Sequence, residues 1–86
     1  MIPKVIAALK YLQQSLAISS EIGDKIGMTA SSWNMGLIHK DQGDFAKAEL
    51  YISHAVKFEE RIRHPKLGAH RRTLKAVRTK LHEQHK

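Results

Sequence analysis

Apolar residues recur along this chain at three- and four-residue spacing, and short polar turns cut the pattern into four helix-length pieces. The first piece, residues 3–22, sets Val5, Ala8, Leu9, Leu12 and Leu16, then the pair Ile18-Ser19, along one helical stripe. Pro3 suits a first helical turn and Gly23 suits a stop. The second, residues 25–41 behind a capping Asp24, carries Met28, Ser32, Met35, Ile38 and Gln42, with Trp33 and Leu37 as an offset second stripe. A helix apolar on two faces is expected to touch neighbours on both sides. The third, residues 44–63, shows the cleanest stripe: Phe45, Ala48, Ile52, Ala55, Val56, Glu59 and Ile62, flanked by Tyr51 and Phe58. The fourth, residues 65–83, has one narrow stripe of Leu67, His70, Leu74, Val77 and Leu81 opposite a polar face of Arg71, Arg72, Lys75, Arg78 and Lys80. No stretch alternates with period two, so no sheet is expected. The turns at Gly23-Asp24, at Gln42-Gly43-Asp44 and at His64-Pro65 are only a few residues long, and such links make successive helices antiparallel neighbours. The expected fold is all-α, antiparallel helix hairpins in one domain spanning residues 1–86.

Shifting the chain by 40 residues lays the first segment on the third. Val5 falls on Phe45, Ala8 on Ala48, Tyr11 on Tyr51, Leu12 on Ile52, Ser15 on Ala55, Leu16 on Val56, Ile18 on Phe58 and Ile22 on Ile62. Small residues meet small ones and large apolar residues meet large ones. Two helices with the same sizes at the same spacing solve the same packing problem, as in a stacked array of hairpins.

The run Trp33-Asn34-Met35-Gly36-Leu37-Ile38-His39-Lys40-Asp41-Gln42-Gly43-Asp44-Phe45-Ala46-Lys47-Ala48, continued by residues 51–60, resembles a tetratricopeptide repeat. The family's small residues fall on Gly36, Ala48 and Ala55, its Gly-Asp turn on Gly43-Asp44 and its following aromatic on Phe45. His39 stands where the family usually has Tyr, and Glu60 where it often has Pro. The 40-residue period exceeds the usual ~34, which implies the variant with extended second helices. The likeness covers residues 5–62, with residues 67–81 similar to a capping helix. It implies an α-solenoid fragment that binds rather than catalyses; HEAT-like helical repeats have similar periods and stay open beside it.

The chain is short, 86 residues, and 42% hydrophobic with 27% charged residues, so it reads as an ordinary soluble domain with a thin margin of stability. It has no cysteine, which excludes disulfides and thiolate metal sites and fits a cytoplasmic location. No apolar run is long enough to span a membrane or to form a signal peptide. The net charge of +7 is lopsided: residues 1–60 carry −1 and residues 61–86 carry +8. That asymmetry allows a second function class, electrostatic binding of nucleic acid or acidic surfaces through Arg71, Arg72, Lys75, Arg78 and Lys80. Aromatic residues for base stacking are absent from that stretch, which disfavours specific single-strand recognition.

Nothing in the sequence assembles a catalyst, and no cofactor or metal is expected. The serines pair at helix ends or faces, and Gly23, Gly27, Gly36 and Gly43 are spaced as turn or contact residues, not as a phosphate loop. Of the six histidines, His82 and His85 stand three apart and resemble a metal pair, but Glu83 points to another face. His39 and His54 fit interhelix or surface positions, and His64 before Pro65 fits a break.

The resemblance puts the concave groove on the segment 25–41, with Ala30, Trp33, Asn34, Leu37, Lys40 and Asp41 facing a peptide or another protein. Asn34 would clamp a backbone, since an amide both donates and accepts. Trp33 would anchor the partner. Carboxylate-type recognition is not expected, because only Asn34 and Lys40 belong to such a set. Finally, Val5, Leu9, Leu12 and Leu16 have only one following helix to cover them. Either the chain is part of a longer array or two copies form a homo-dimer through that stripe.

Overall fold

The computed structural model describes residues 3–84. They form four α-helices: α1 (Pro3–Ile22), α2 (Lys25–Asp41), α3 (Phe45–Ile62) and α4 (Leu67–Gln84). Each helix packs on the next, giving a slab of 41 × 34 × 17 Å. No strand occurs among the described residues.

Two residues, Gly23-Asp24, make the first turn and three, Gln42-Gly43-Asp44, the second. Gly23 at φ +71° and Gly43 at φ +78° adopt the left-handed backbone that lets a helix close on itself. At the first turn Asp24 N–H donates to Ser19 O at 2.8 Å and Gly23 N–H to Ser20 O at 3.3 Å. At the second, Asp44 N–H reaches His39 O at 2.9 Å and Gly43 N–H reaches Lys40 O at 3.0 Å. The aspartate that ends this loop then caps the next helix, Asp24 accepting from Gly27 N–H at 2.9 Å and Asp44 from Lys47 N–H at 3.2 Å. A Gly-Asp dipeptide thus stops one helix and starts another. α3 ends on the same 6→1 bond, His64 N–H to Glu59 O at 3.0 Å, but the left-handed position is taken by Arg63 at φ 53°.

The expected segments 3–22 and 25–41 match α1 and α2 residue for residue. The third is shorter than expected because Asp44 and Arg63 are its caps. The fourth starts two residues late. Lys66 N–H is held by His64 Nδ1 at 3.0 Å and Leu67 N–H by His64 O at 3.0 Å, so Pro65 lies in a turn ahead of the helix.

α3 is the centre of the molecule, packed against both α2 and α4. Ala48, Ile52 and Val56 join Leu74 and Val77 of α4 in the buried cluster, with Trp33, Phe45 and Leu67 against it. Gly36 of α2 lies directly against Ile52: a Cβ there would overlap the Ile52 side chain and stand 3.2 Å from its backbone N. The 40-residue likeness between α1 and α3 shows up as graded burial. Ala48, Ile52, Ala55 and Val56 are buried, and their α1 counterparts Ala8, Leu12, Ser15 and Leu16 are half-buried. The physical reason is neighbour count: α3 has a helix on either side, whereas α1 packs mainly on α2.

The stripe expected to stand open on α1 does not. Leu9 is buried and Val5, Leu12 and Leu16 are half-buried. Leu16 lines a cleft with Met28, Ser32 and Met35 of α2 and with Leu50, Tyr51 and His54 of α3. The exposed apolar residues of α1 are Ile6, Tyr11, Ile18 and Ile22 instead. The one following helix thus covers more of Val5, Leu9, Leu12 and Leu16 than expected.

Candidate functional site

Three elements converge where α2 passes the junction of α3 and α4. Glu59 sits in the last full turn of α3 on the buried stripe, with only 3% of its surface exposed. Its backbone carbonyl holds the His64 N–H, which brings the His64 ring beside its own carboxylate. His70, one turn into α4, meets the same carboxylate from the other side: its Nδ1 is 2.8 Å from both Glu59 Oε1 and Oε2. Trp33 of α2 then stacks on His70, with ring centroids 3.7 Å apart and planes at 21°. Burying a carboxylate is costly unless it is paired and hydrogen-bonded, and here both oxygens share one imidazole N–H. The arrangement ties the three helices together at one point.

His64 adds an imbalance. Its Nδ1 accepts the Lys66 N–H at 3.0 Å, so that nitrogen presents a lone pair. The same Nδ1 is 3.5 Å from Glu59 Oε2. No hydrogen bond joins the two, because the Nδ1 lone pair is already taken by the Lys66 N–H. Elsewhere polar burial is balanced: among the described residues no buried side-chain nitrogen or oxygen lacks a hydrogen-bond partner.

A cleft of about 260 Å³ opens over this cluster. Ile26, Phe58, Ile62 and Trp33 supply apolar walls, with Thr29, Ala30 and Lys66 completing them around Glu59, His64 and His70. Of the six groove residues expected on α2, Ala30 and Trp33 belong here. Lys40 lines a second cleft of about 300 Å³ with Phe45, Ala76, Val77 and Lys80. Asn34 and Asp41 are exposed and Leu37 is half-buried; these three line neither cleft. Lys40 Nζ is 3.9 Å from Asp41 Oδ1. Trp33 is half-buried, with one ring face stacked on His70, and it walls the first cleft.

All five residues of the basic face are exposed, but acidic side chains meet three of them. Arg71 lies 3.4 Å from Glu60, Arg78 3.3 Å from Glu49 and Lys80 3.8 Å from Glu83. Arg72 and Lys75 make no ion pair among the described residues. Arg71, Lys75 and Arg78 border a shallow cleft of about 590 Å³ with Glu60, Val56, Leu74, Thr79 and His82. The local field of α4 is thus weaker than the +8 of residues 61–86 suggests.

Glu59, His64 and His70 escaped sequence reasoning as a group, although a signal was there. Glu59 interrupts the apolar stripe of α3 and His70 that of α4, and ionisable residues on two facing stripes meet in the core or not at all. For the other histidines, His39 is buried and stacks on Tyr51 with centroids 5.6 Å apart, while His54 is exposed. His82 is exposed, and its suggested partner His85 lies outside the described residues.

Comparison with protein-family models, with curated proteins and with solved structures finds no match to this chain. Among the described residues no helix is long and apolar enough to cross a membrane.

Proposed function

We propose that this chain is a non-catalytic scaffold of the helix-hairpin repeat kind, resembling the tetratricopeptide family, that binds an extended segment of another protein along α2. One observation carries the reading: two clefts open on the same side of α2, one walled by Ala30 and Trp33 and the other by Lys40. Positions 30 and 40 are separated by about 15 Å of helix, the span of roughly four or five extended residues. Ile26, Phe58 and Ile62 suit the first cleft to an apolar side chain. Lys40, whose ion pair with the neighbouring Asp41 is solvent-exposed, suits the second to an acidic one. Asn34, exposed on α2 between positions 30 and 40 but lining neither cleft, is the residue proposed to hold the segment's backbone. Electrostatic binding of nucleic acid by α4 is the less favoured reading, because Glu49, Glu60 and Glu83 already neutralise three of its five cations.

The test is a random peptide library selected on the intact chain. Selected peptides should share an apolar residue spaced four or five positions from an acidic one. Ala30→Arg, which fills the first cleft, and Lys40→Glu should each weaken their binding by tenfold or more, about 1.4 kcal/mol. Peptides that bind both variants as tightly as the original chain would refute the groove.

A further inference from the structure

We infer that Glu59, His64 and His70 form a binding site for a borderline divalent metal ion such as Zn2+, at the floor of the cleft beside Trp33. The three side chains each offer one ligand atom, and these atoms lie within 4.8 Å of one another. Two imidazoles and one carboxylate are a donor set that zinc accepts, at about 2.0–2.2 Å per bond. In a tetrahedral site such ligands stand roughly 3.3 Å apart. Here the separations from Glu59 are 2.8 Å to His70 and 3.5 Å to His64, which bracket that value, while the two imidazoles, with ring centroids 5.9 Å apart, must draw together to share the ion.

The electrostatics point the same way. His64 Nδ1, which accepts the Lys66 N–H, lies 3.5 Å from Glu59 Oε2 without a hydrogen bond to it, and a cation between the two atoms would join them. Metal entering from the cleft replaces the proton that His70 Nδ1 now shares with both carboxylate oxygens, and the ring takes a proton on Nε2 through water instead. It also takes the His64 lone pair from the Lys66 N–H, which sits at the exposed start of α4 and passes to water. The negative charge of Glu59, buried to 97% by its 3% exposure, is then met by two positive charges instead of one polar N–H. The cleft leaves the fourth coordination position to water. Trp33, stacked on His70 with ring centroids 3.7 Å apart, limits the rotation of that ring. Because the ligands come from α3, the link and α4, the ion cross-braces that hairpin. The site does not depend on the peptide reading, and its test contains no peptide.

The experiment titrates ZnCl2 into the metal-free full chain by calorimetry, repeats it with Co2+ while following visible absorption, and records thermal melts with and without metal. The comparison set is His64→Asn, Glu59→Gln and His82→Gln. Asn at 64 retains an acceptor for the Lys66 N–H but removes the imidazole, so the turn survives and the ligand does not. The expected result is one ion per chain, a tetrahedral Co2+ spectrum, and a raised Tm. His64→Asn and Glu59→Gln should weaken binding by more than the ~10–100-fold typical of lost outer-shell partners. His82→Gln should leave it unchanged. The inference is overturned by the absence of binding to the original chain, by unchanged affinity in His64→Asn, or by loss of the site in His82→Gln.

Discussion

Replacing Gly36 tests the packing of α2 on α3 at its closest point. A Cβ added at this position overlaps Cγ1 of Ile52 and stands 3.2 Å from both Ile52 Cδ1 and Ile52 N. The side chain of Ile52 has nowhere to go, since it is fully buried in the cluster with Ala48, Val56, Leu74 and Val77. Its backbone N is fixed in the middle of α3. The helices must separate, and overpacking of this kind costs about 1–3 kcal/mol. Against it stands the gain from replacing a helical glycine, about 1 kcal/mol. Gly36→Ala should therefore lose about 1 kcal/mol net. Gly36→Leu, with three more carbons against the same wall, should lose about 2 kcal/mol or more. For a domain of this size 2 kcal/mol corresponds to a fall in Tm of roughly 8–16 °C. Far-UV circular dichroism melts measure it directly. A double-mutant cycle sharpens the test: in an Ile52→Ala background the overlap is gone, so Gly36→Ala should become neutral or stabilising. A Tm that is unchanged or higher in Gly36→Leu would refute the close approach and the helix register that produces it.

Two further outcomes follow from local geometry and charge. Burial lowers the pKa of His39 from its ordinary 6.5, with Asp44 opposing the shift and Lys47 adding to it. Its protonation then favours the unfolded chain, so this contribution to stability is present above about pH 6.5 and is lost as pH falls through the lower folded value. His39→Phe, which keeps a ring against Tyr51, should flatten that part of a stability–pH curve measured by urea unfolding; an unchanged slope would show that His39 does not cause it. At the turns, Gly43→Ala should cost about 1–2 kcal/mol, because the φ of +78° strains an L residue, whereas Arg63→Gly should gain up to about 1 kcal/mol by relieving the same strain at φ 53°. Denaturation midpoints of the two variants moving in the same direction would contradict this account of the helix ends.

The strength of the Gly-Asp turns explains why so thin a slab holds its shape. Each of the first two links fixes its chain reversal with two backbone bonds and one carboxylate cap, so little of the reversal depends on the core. The α3–α4 link lacks both glycine and aspartate. There Arg63 takes the strained conformation and His64 supplies the acceptor for the next helix. The place where the local code is weakest is also where the three ionisable side chains gather.

The sequence by itself determined the four helices and most of their ends. Periodic apolar spacing, two Gly-Asp dipeptides and one X-Pro break act within a turn or two of chain, and such short-range signals are readable without a third dimension. It also determined which face of α3 is the core, since Ala48, Ile52, Ala55 and Val56 leave no other choice. Tertiary structure alone decided how much of α1 a single neighbour covers, which turned the stripe of Val5, Leu9, Leu12 and Leu16 inward. It decided that Trp33 would be a wall stacked on His70 and that acidic side chains would answer three of the five residues of the basic face. Above all it decided the meeting of Glu59, His64 and His70. Their separation of five and eleven residues says nothing until α4 folds back over α3, because contact between ionisable groups depends on the helix phase and the crossing point, which no local spacing encodes.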